Sequence, residues 1–283
     1  MLRTIIPRGS VAVYLIGCGG TGSFIAQDIA RIAYHLQGKE DLKIVFIDND
    51  KVEKKNVGRQ NFVESEIGQN KADVLAFRYN RAYGLEIISV SQKVQEIFSS
   101  ETFPRKINIF VGAVDNTEAR KFIAQCVSHI GREGEDEYGR EFAKTTYWLD
   151  CGNETSSGQV LLGNAKKPGK LKELSINLIS RIPFPHIQAP ELIKKQPKPK
   201  LSCAELAIRE EQSLLVNRAM ATFAAQYLYD ILVKKEITKY ATYISLGGCS
   251  ASSKILTPTI WDNMEHLRGK KGKKGKSAVG ADR

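Results

Sequence analysis

VAVYLIGCGGTGSFIAQDIARIAYHL, Val11 to Leu36, is the stretch that decides the fold. The short apolar run VAVYLI passes at once into GCGGTGS, and FIAQDIARIAYHL then repeats its apolar residues at helical spacing. That order reads as a buried strand, a glycine turn and a helix. Outward from it the alternation continues. LKIVFIDND is a second buried strand ending in acids, KADVLAFRYNRAYG a second helix, EIISVS and INIFVGAV further strands, and TEARKFIAQCVSHI another helix. TTYWLD and SGQVLLG add two more strands.

Continuously apolar strands alternating with helices imply an α/β fold, a Rossmann-like doubly wound sheet, mainly parallel, with helices on both faces. Residues 132–144, REGEDEYGREFAK, read as a charged surface insertion. From Ser180 to Lys200 five prolines in 21 residues exclude a long helix or a central strand, so the segment at about 180–202 is expected to be an extended crossover loop. A helix then starts at Cys203, with Leu214, Leu215, Met220, Phe223, Tyr227, Leu228, Ile231 and Leu232 on a broad apolar face. ATYISL and SKILTPTI are expected to be late antiparallel strands. The domain is thus expected over 1–262, with a basic flexible tail at 263–283.

The 283 residues carry 42 Lys and Arg against 31 Asp and Glu, a formal net charge of +11. Six of the positive residues lie in Arg268–Lys276 and four in Lys194–Lys200; without those ten the body stands at +1. Both runs are rich in Gly or Pro, which favours solvated chain. The tail reads as a solubilising end, with a sequence-blind contact to nucleic-acid phosphate as the alternative. No apolar run reaches the roughly 18 residues that span a bilayer, and MLRTIIPRGS lacks the core of a signal peptide, so a cytoplasmic chain with no membrane partner is expected. Five cysteines with no C-x-x-C spacing exclude a paired-cysteine zinc site and argue against a disulfide scaffold. The four histidines have no metal-ligand spacing.

Gly17, Gly19, Gly20 and Gly22 allow backbone amides to approach a nucleotide at the positive end of the following helix. This alone serves NAD, FAD or ATP equally. Asp48, ending the second strand, suits a ribose hydroxyl. The segment after it packs Asp48, Asp50, Asn56, Arg59, Gln60 and Lys71 between a strand and a helix, more than a dehydrogenase needs. Arg59 and Lys71 make sense where a triphosphate is held and negative charge develops at phosphorus. Asp115 and Asn116 follow INIFVGAV on the same carboxyl edge. Asp115 suits a hydrated Mg2+ bridging phosphate oxygens, while Asn116 or Thr117 caps the next helix.

Four motifs in this order, GCGGTG, D-x-D-x-V-x-x-x-N-x-x-RQ (Asp48 to Gln60), IG-x-x-KA (Ile67 to Ala72) and D-N-x-x-x-R (Asp115 to Arg120), resemble the ThiF/MoeB/HesA family of ubiquitin-activating-type enzymes. The resemblance runs from about Ser10 to Leu246. Within it, WLDCGN-x-x-x-x-GQVLLG and SCAEL look most like the ThiF-type member of the PRTRC plasmid gene cluster. The resemblance implies ATP-dependent adenylation of the C-terminal glycine of a small ubiquitin-like (β-grasp) or sulfur-carrier protein. It assigns the ribose to Asp48, the phosphates to Asn56, Arg59 and Lys71, and magnesium to Asp115. It also implies a homodimer, in which Arg8 or Arg3 would reach the partner's site, and a conjugating-type enzyme or metalloprotease encoded nearby.

Cys203 stands between the crossover and the long helix, where family members that form a thioester carry their cysteine; the glycine that usually follows is missing here. A thiolate at a helix start has a lowered pKa. Cys151 is a second candidate, Cys18 and Cys126 read as packing residues, and Cys249 has no assigned role. Three other readings compete: ATP-dependent activation of a small-molecule or RNA-borne carboxyl or carbamoyl group, an inactive nucleotide-binding scaffold, and an NAD-dependent oxidoreductase.

Overall fold

The structure, a computed structural model, describes residues 1–97, 105–130, 133–135, 141–143, 145–154, 156–167, 178–179, 181–194 and 203–258, without the side chains of 133–135, 141–143 and 203–214. Eight strands form the main sheet: β1 (Val11–Ile16), β2 (Leu42–Ile47), β3 (Ile88–Val90), β4 (Ile107–Gly112), β5 (Thr145–Asn153), β6 (Ser157–Gly163), β7 (Lys239–Ser245) and β8 (Ser250–Ile255). Their order is β8-β7-β6-β5-β4-β1-β2-β3. The pairings from β3 across to β5 are parallel. Those from β5 through β6 and β7 to β8 are antiparallel. The mixed sheet is the one the alternation implies, with its late strands antiparallel.

Four helices position the rest: α1 (Gly20–Leu36), α2 (Lys71–Tyr83), α3 (Thr117–His129) and α4 (Cys203–Tyr229). β1 and β4 are buried at every position because both sheet faces are covered. Val11, Val13 and Leu15 face the core built with α1, α2 and α4. Ala12, Tyr14 and Ile16 face the other core, which holds Ala119, Ile123 and Val127 of α3 together with Trp148 and Phe184. β1 therefore sends its helix to one face and β4 to the other. Between the carboxyl ends of those two adjacent strands lies the place where the winding reverses, the site of a crevice in sheets of this kind.

The crossover is less extended than its prolines imply. Phe184 is followed by one helical turn, Pro185–Gln188, and a 3₁₀ turn, Pro190–Ile193. Each begins on proline, whose fixed φ and missing N–H suit a first helical position. The last strand ends at Ile255, short of the expected run to Ile260, because Ile255 already pairs with Lys239, the first residue of β7. In the insertion, Glu133–Glu135 pairs antiparallel with Glu141–Ala143. On α4 the inward face is Val216, Met220, Ala224, Tyr227 and Leu228, whereas Leu215 points out, 67% exposed. Lys195–Lys200, the tail at 263–283 and the Cys203 side chain lie outside what is described. Among the described residues no helix is long and apolar enough to cross a membrane.

Candidate functional site

The glycine turn after β1 is shaped by close approach. Gly17 takes φ 88°, open to glycine at little cost, and donates its N–H to Ile47 O at 2.9 Å. A Cβ on Gly22 would lie 1.9 Å from Gly17 O, so any side chain there would displace the turn. A Cβ on Gly20 would lie 2.7 Å from Asn217 Nδ2 on α4. The three helices that start at this edge differ in their caps. Asn70 caps α2 by accepting from Ala72 N and Asp73 N, and Asn116 caps α3 by accepting from Ala119 N at 2.8 Å. α1 starts at Gly19 with no side-chain cap. Its first amides and the positive end of its dipole therefore face the crevice, the arrangement that receives an anion.

Asp48, at the end of β2, accepts from Cys18 N at 2.6 Å with one oxygen and from Asp50 N at 2.8 Å with the other. It ties the glycine turn to the loop that follows β2. Burial raises its pKa above the usual aspartate value, against the opposing pull of those two amides and of Lys71. Lys71 is only 6% exposed, and its Nζ sits 3.2 Å from Asp50 Oδ2, on a carboxylate that is itself exposed. A buried ammonium with one solvated partner at the crevice wall is a ready phosphate ligand. Asn70 holds this loop from below, its Nδ2 donating to Asp48 O at 2.8 Å and Asp50 O at 3.1 Å.

Arg59 and Gln60 line the same crevice. Gln60 Oε1 is buried with no hydrogen-bond partner among the described residues, an acceptor that fits the O–H or N–H of a ligand. Asn56 is placed differently from the rest of its motif. It is buried, its Oδ1 accepts from Glu53 N at 2.9 Å, and its carbonyl accepts from Gln60 N at 2.8 Å. It shapes the loop that presents Arg59 and Gln60, and it does not line the crevice.

Across the winding reversal, Asp115 is exposed at the end of the β4 loop, beside the capping Asn116. Among the described residues no group of three or more His, Cys, Asp or Glu side chains could hold a metal. A single exposed carboxylate suits magnesium, which keeps several waters and takes substrate phosphates as its other ligands. Beneath it lies a pair that sequence reading did not single out. Arg120 Nε stands 3.2 and 3.3 Å from the two oxygens of Asp150 at 0% exposure, and a second Arg120 nitrogen donates to Cys151 O at 3.3 Å. Asn217 is also new: its Oδ1 accepts from Thr21 Oγ1 at 3.0 Å and from Asn153 Nδ2 at 2.7 Å. The signal for it was present, since Asn217, Met220, Ala221 and Ala224 share one buried helix stripe, and a buried amide on such a stripe requires partners.

Cys151 lines the crevice inside β5, and burial, with Asp150 adding to it, pushes its thiol well above the ordinary range. Burial likewise raises Cys18, within the turn, and raises Cys126 to about 12. None of these is poised as a thiolate. The crevice as a whole has a volume of about 750 Å³, within the range of small-molecule sites, and joins Gly17, Gly19, Gly20, Asp48, Asp50, Arg59, Gln60, Lys71, Asp115 and Asn116. Asn56 and Gly22 support it from behind.

Comparison with known proteins agrees with this architecture. Over 127 residues the chain is 31% identical to ubiquitin-activating enzyme E1 1 of Candida albicans (strain WO-1), a stretch covering 42% of this chain and 12% of that enzyme. Among solved structures, E. coli MccB with MccA-N7isoASN superposes with a TM-score of 0.53 at 15% identity, covering 87% of this chain and 64% of MccB. E. coli MccB with AMPCPP and MccA gives 0.51 at 16% identity, over 88% and 65%. These structural likenesses speak to the fold, and the chain spans less than two thirds of the length of each of these proteins. Residues 9–258, from the start of β1 to past the last strand, match the ThiF family, and the chain belongs to it.

Proposed function

We propose that this chain is an ATP-dependent activating enzyme that adenylates a carboxylate, the C-terminal glycine of a small ubiquitin-like β-grasp protein. The observation that carries the reading is the single crevice in which an uncapped helix start, the buried Lys71, the orphaned Gln60 Oε1 and the exposed Asp115 meet. A dehydrogenase has no use for the last three together. The glycine turn holds the phosphates on backbone N–H groups, Asp48 and Gln60 face the ribose, and Arg59 and Lys71 stabilise the negative charge that grows at phosphorus. The acyl carboxylate attacks the α-phosphorus, the bond to the β-phosphate breaks, and pyrophosphate leaves with an acyl-adenylate remaining. Asp115 would hold magnesium here, and the ion would supply neutralisation of the charge on the leaving pyrophosphate.

In the same reading Cys203 takes the acyl group. Its thiolate attacks the acyl carbon and expels AMP, and a conjugating-type enzyme or metalloprotease encoded nearby acts downstream, as in a PRTRC-type cluster. The raised thiol of Cys151 favours Cys203 for this step over the cysteine nearer the nucleotide. The active form is a homodimer to which Arg8 of the second copy contributes. Arg8 is exposed, whereas Arg3 pairs with Glu236 at 3.7 Å. The catalytic unit is the domain at 1–262, with the basic tail dispensable for adenylation.

ATP–pyrophosphate exchange tests the reading, with the purified chain, magnesium and a glycine-terminated carrier. Exchange should require the carrier and fall at least about 100-fold in Asp115→Ala, the scale of losing one electrostatic stabiliser. Cys203→Ala should keep exchange and lose the thiol-labile adduct. Exchange driven instead by a free carboxylate without a carrier would replace the protein substrate by a small molecule.

A further inference from the structure

The crevice extends past the region a nucleotide would fill, and its far wall has its own chemistry. Asp48 follows β2 and Gln92–Gln95 follow β3, both to one side of β1, while Cys151, Asn153 and Glu154 belong to the end of β5 on the other side. Three ladder spacings separate β2 from β5, roughly 14 Å. A nucleotide whose ribose sits at Asp48 leads its phosphates over the glycine turn toward β4, and the space by β5 is left for what attacks them.

Asn217 reaches into that space from α4 at 6% exposure. Its carbonyl oxygen accepts from Thr21 and from Asn153, and turning the amide over would lose the Asn153 bond and set two N–H₂ groups against each other. That orientation presents Nδ2 beside Gly20, 2.7 Å from where a Cβ would stand, and Gly20 is the residue type that leaves room for it. Among the described residues Nδ2 donates to no protein acceptor. The residue is buried but lines the crevice, and an N–H₂ group held there with its oxygen engaged on the other side is a donor placed to meet a ligand oxygen.

Resting on the activity proposed above, we propose that Asn217 is a positioning residue for the acyl group, its Nδ2 donating to the carbonyl or carboxylate oxygen of the substrate's last residue as that residue meets the α-phosphate. Thr21 and Asn153 fix its direction, and Gly20 admits it.

Isothermal titration of the full chain with AMP and with 5′-O-(glycylsulfamoyl)adenosine, a stable stand-in for glycyl adenylate, separates the nucleotide half of the site from the acyl half. Asn217→Ala removes the donor and adds no charge. It should weaken the glycyl analogue on the order of 10-fold, the scale of one hydrogen bond, while AMP stays within about 2-fold. Asn217→Asp keeps an oxygen that accepts from Thr21 and Asn153 but replaces the donor by a charged acceptor, and should weaken the analogue at least as much. Equal weakening of both ligands in Asn217→Ala, no change in either, or a selective loss in Asn217→Ala that Asn217→Asp restores would each overturn the role. A wild-type chain that binds neither AMP nor the analogue would overturn the activity proposed above and this role with it.

Discussion

The two sides of the crevice each hold an aspartate, half-buried on one side and fully buried on the other, and hold it by different means. On the β1–β2–β3 side, Asp48 is fixed by the backbone N–H groups of Cys18 and Asp50. On the β4–β5 side, Asp150 is fixed by the guanidinium of Arg120. Burial raises the pKa of both carboxyls, and each is pulled back by its own partners. Backbone donors come with the path of the chain, and only a change to proline removes one. A guanidinium is one side chain, so the second side depends on a contact that a single change can delete.

The largest expected effect follows from that dependence. Arg120→Leu would leave Asp150, at 0% exposure, without its counter-charge. Breaking a buried pair from one end costs about 3–5 kcal/mol, read here as urea unfolding of the apo chain. The sign of its pH dependence is set by the raised carboxyl. Without Arg120 the Asp150 pKa in the folded chain rises further, so the folded chain binds a proton that the unfolded chain has released by about pH 5. Stability is then lost as pH rises from the unfolded value through the folded one, and the deficit against wild type should be smaller at pH 5 than at pH 8. An equal deficit at both would mean that Asp150's charge is not what Arg120 offsets.

The same contrast explains what could be read from the sequence. The Asp48 side is contiguous: Gly17 through Lys71 carries the turn, the acid, Arg59 and Gln60, with the turn, Asp48 and Lys71 at a strand end or a helix start that periodicity marks and Arg59 and Gln60 in the loop between them. Asp150 closes the apolar run TTYWLD and looks like any strand-end acid, because its partner lies 30 residues away on a helix of the opposite face. Asn217 meets Thr21 across 196 residues. Spacing alone cannot pair such residues. It could flag only that an amide lay on an apolar stripe and that its partner was to be found elsewhere. Asn56 shows the other side of this: its motif groups it with the phosphate ligands, while the fold also engages its short side chain in its own loop, one turn before Arg59.

A middle-sized effect is expected from Asp48→Asn. The carboxylate gives one oxygen to each of two amides, and an asparagine retains one acceptor while turning an N–H₂ toward the other N–H. Leaving the Cys18 N–H, on a fully buried residue, unpaired costs about 1–3 kcal/mol, and leaving the exposed Asp50 N–H to water costs less. Unfolding of the apo chain measures it without involving the ribose. A loss as large as that of Arg120→Leu would erase the distinction between the two sides, since backbone donors would then be as vulnerable as a side chain.

The smallest effect sharpens the comparison at the two helix caps. Serine caps a helix about as well as asparagine, so Asn→Ser at either cap removes little besides the Nδ2 group. Asn70 uses that group twice, on Asp48 O at 2.8 Å and Asp50 O at 3.1 Å, and thereby ties the backbone of the acidic loop to α2. Asn116 uses it once, in a 3.4 Å contact with the exposed Asp115. Asn70→Ser should therefore cost about 1 kcal/mol, and Asn116→Ser less than about 0.5 kcal/mol. The difference of half a kilocalorie or more is readable as a shift in unfolding midpoint at constant m. Equal losses would mean that the loop carrying Asp48 and Asp50 is held by the sheet rather than by Asn70, and the first side would then owe its rigidity to β2 alone.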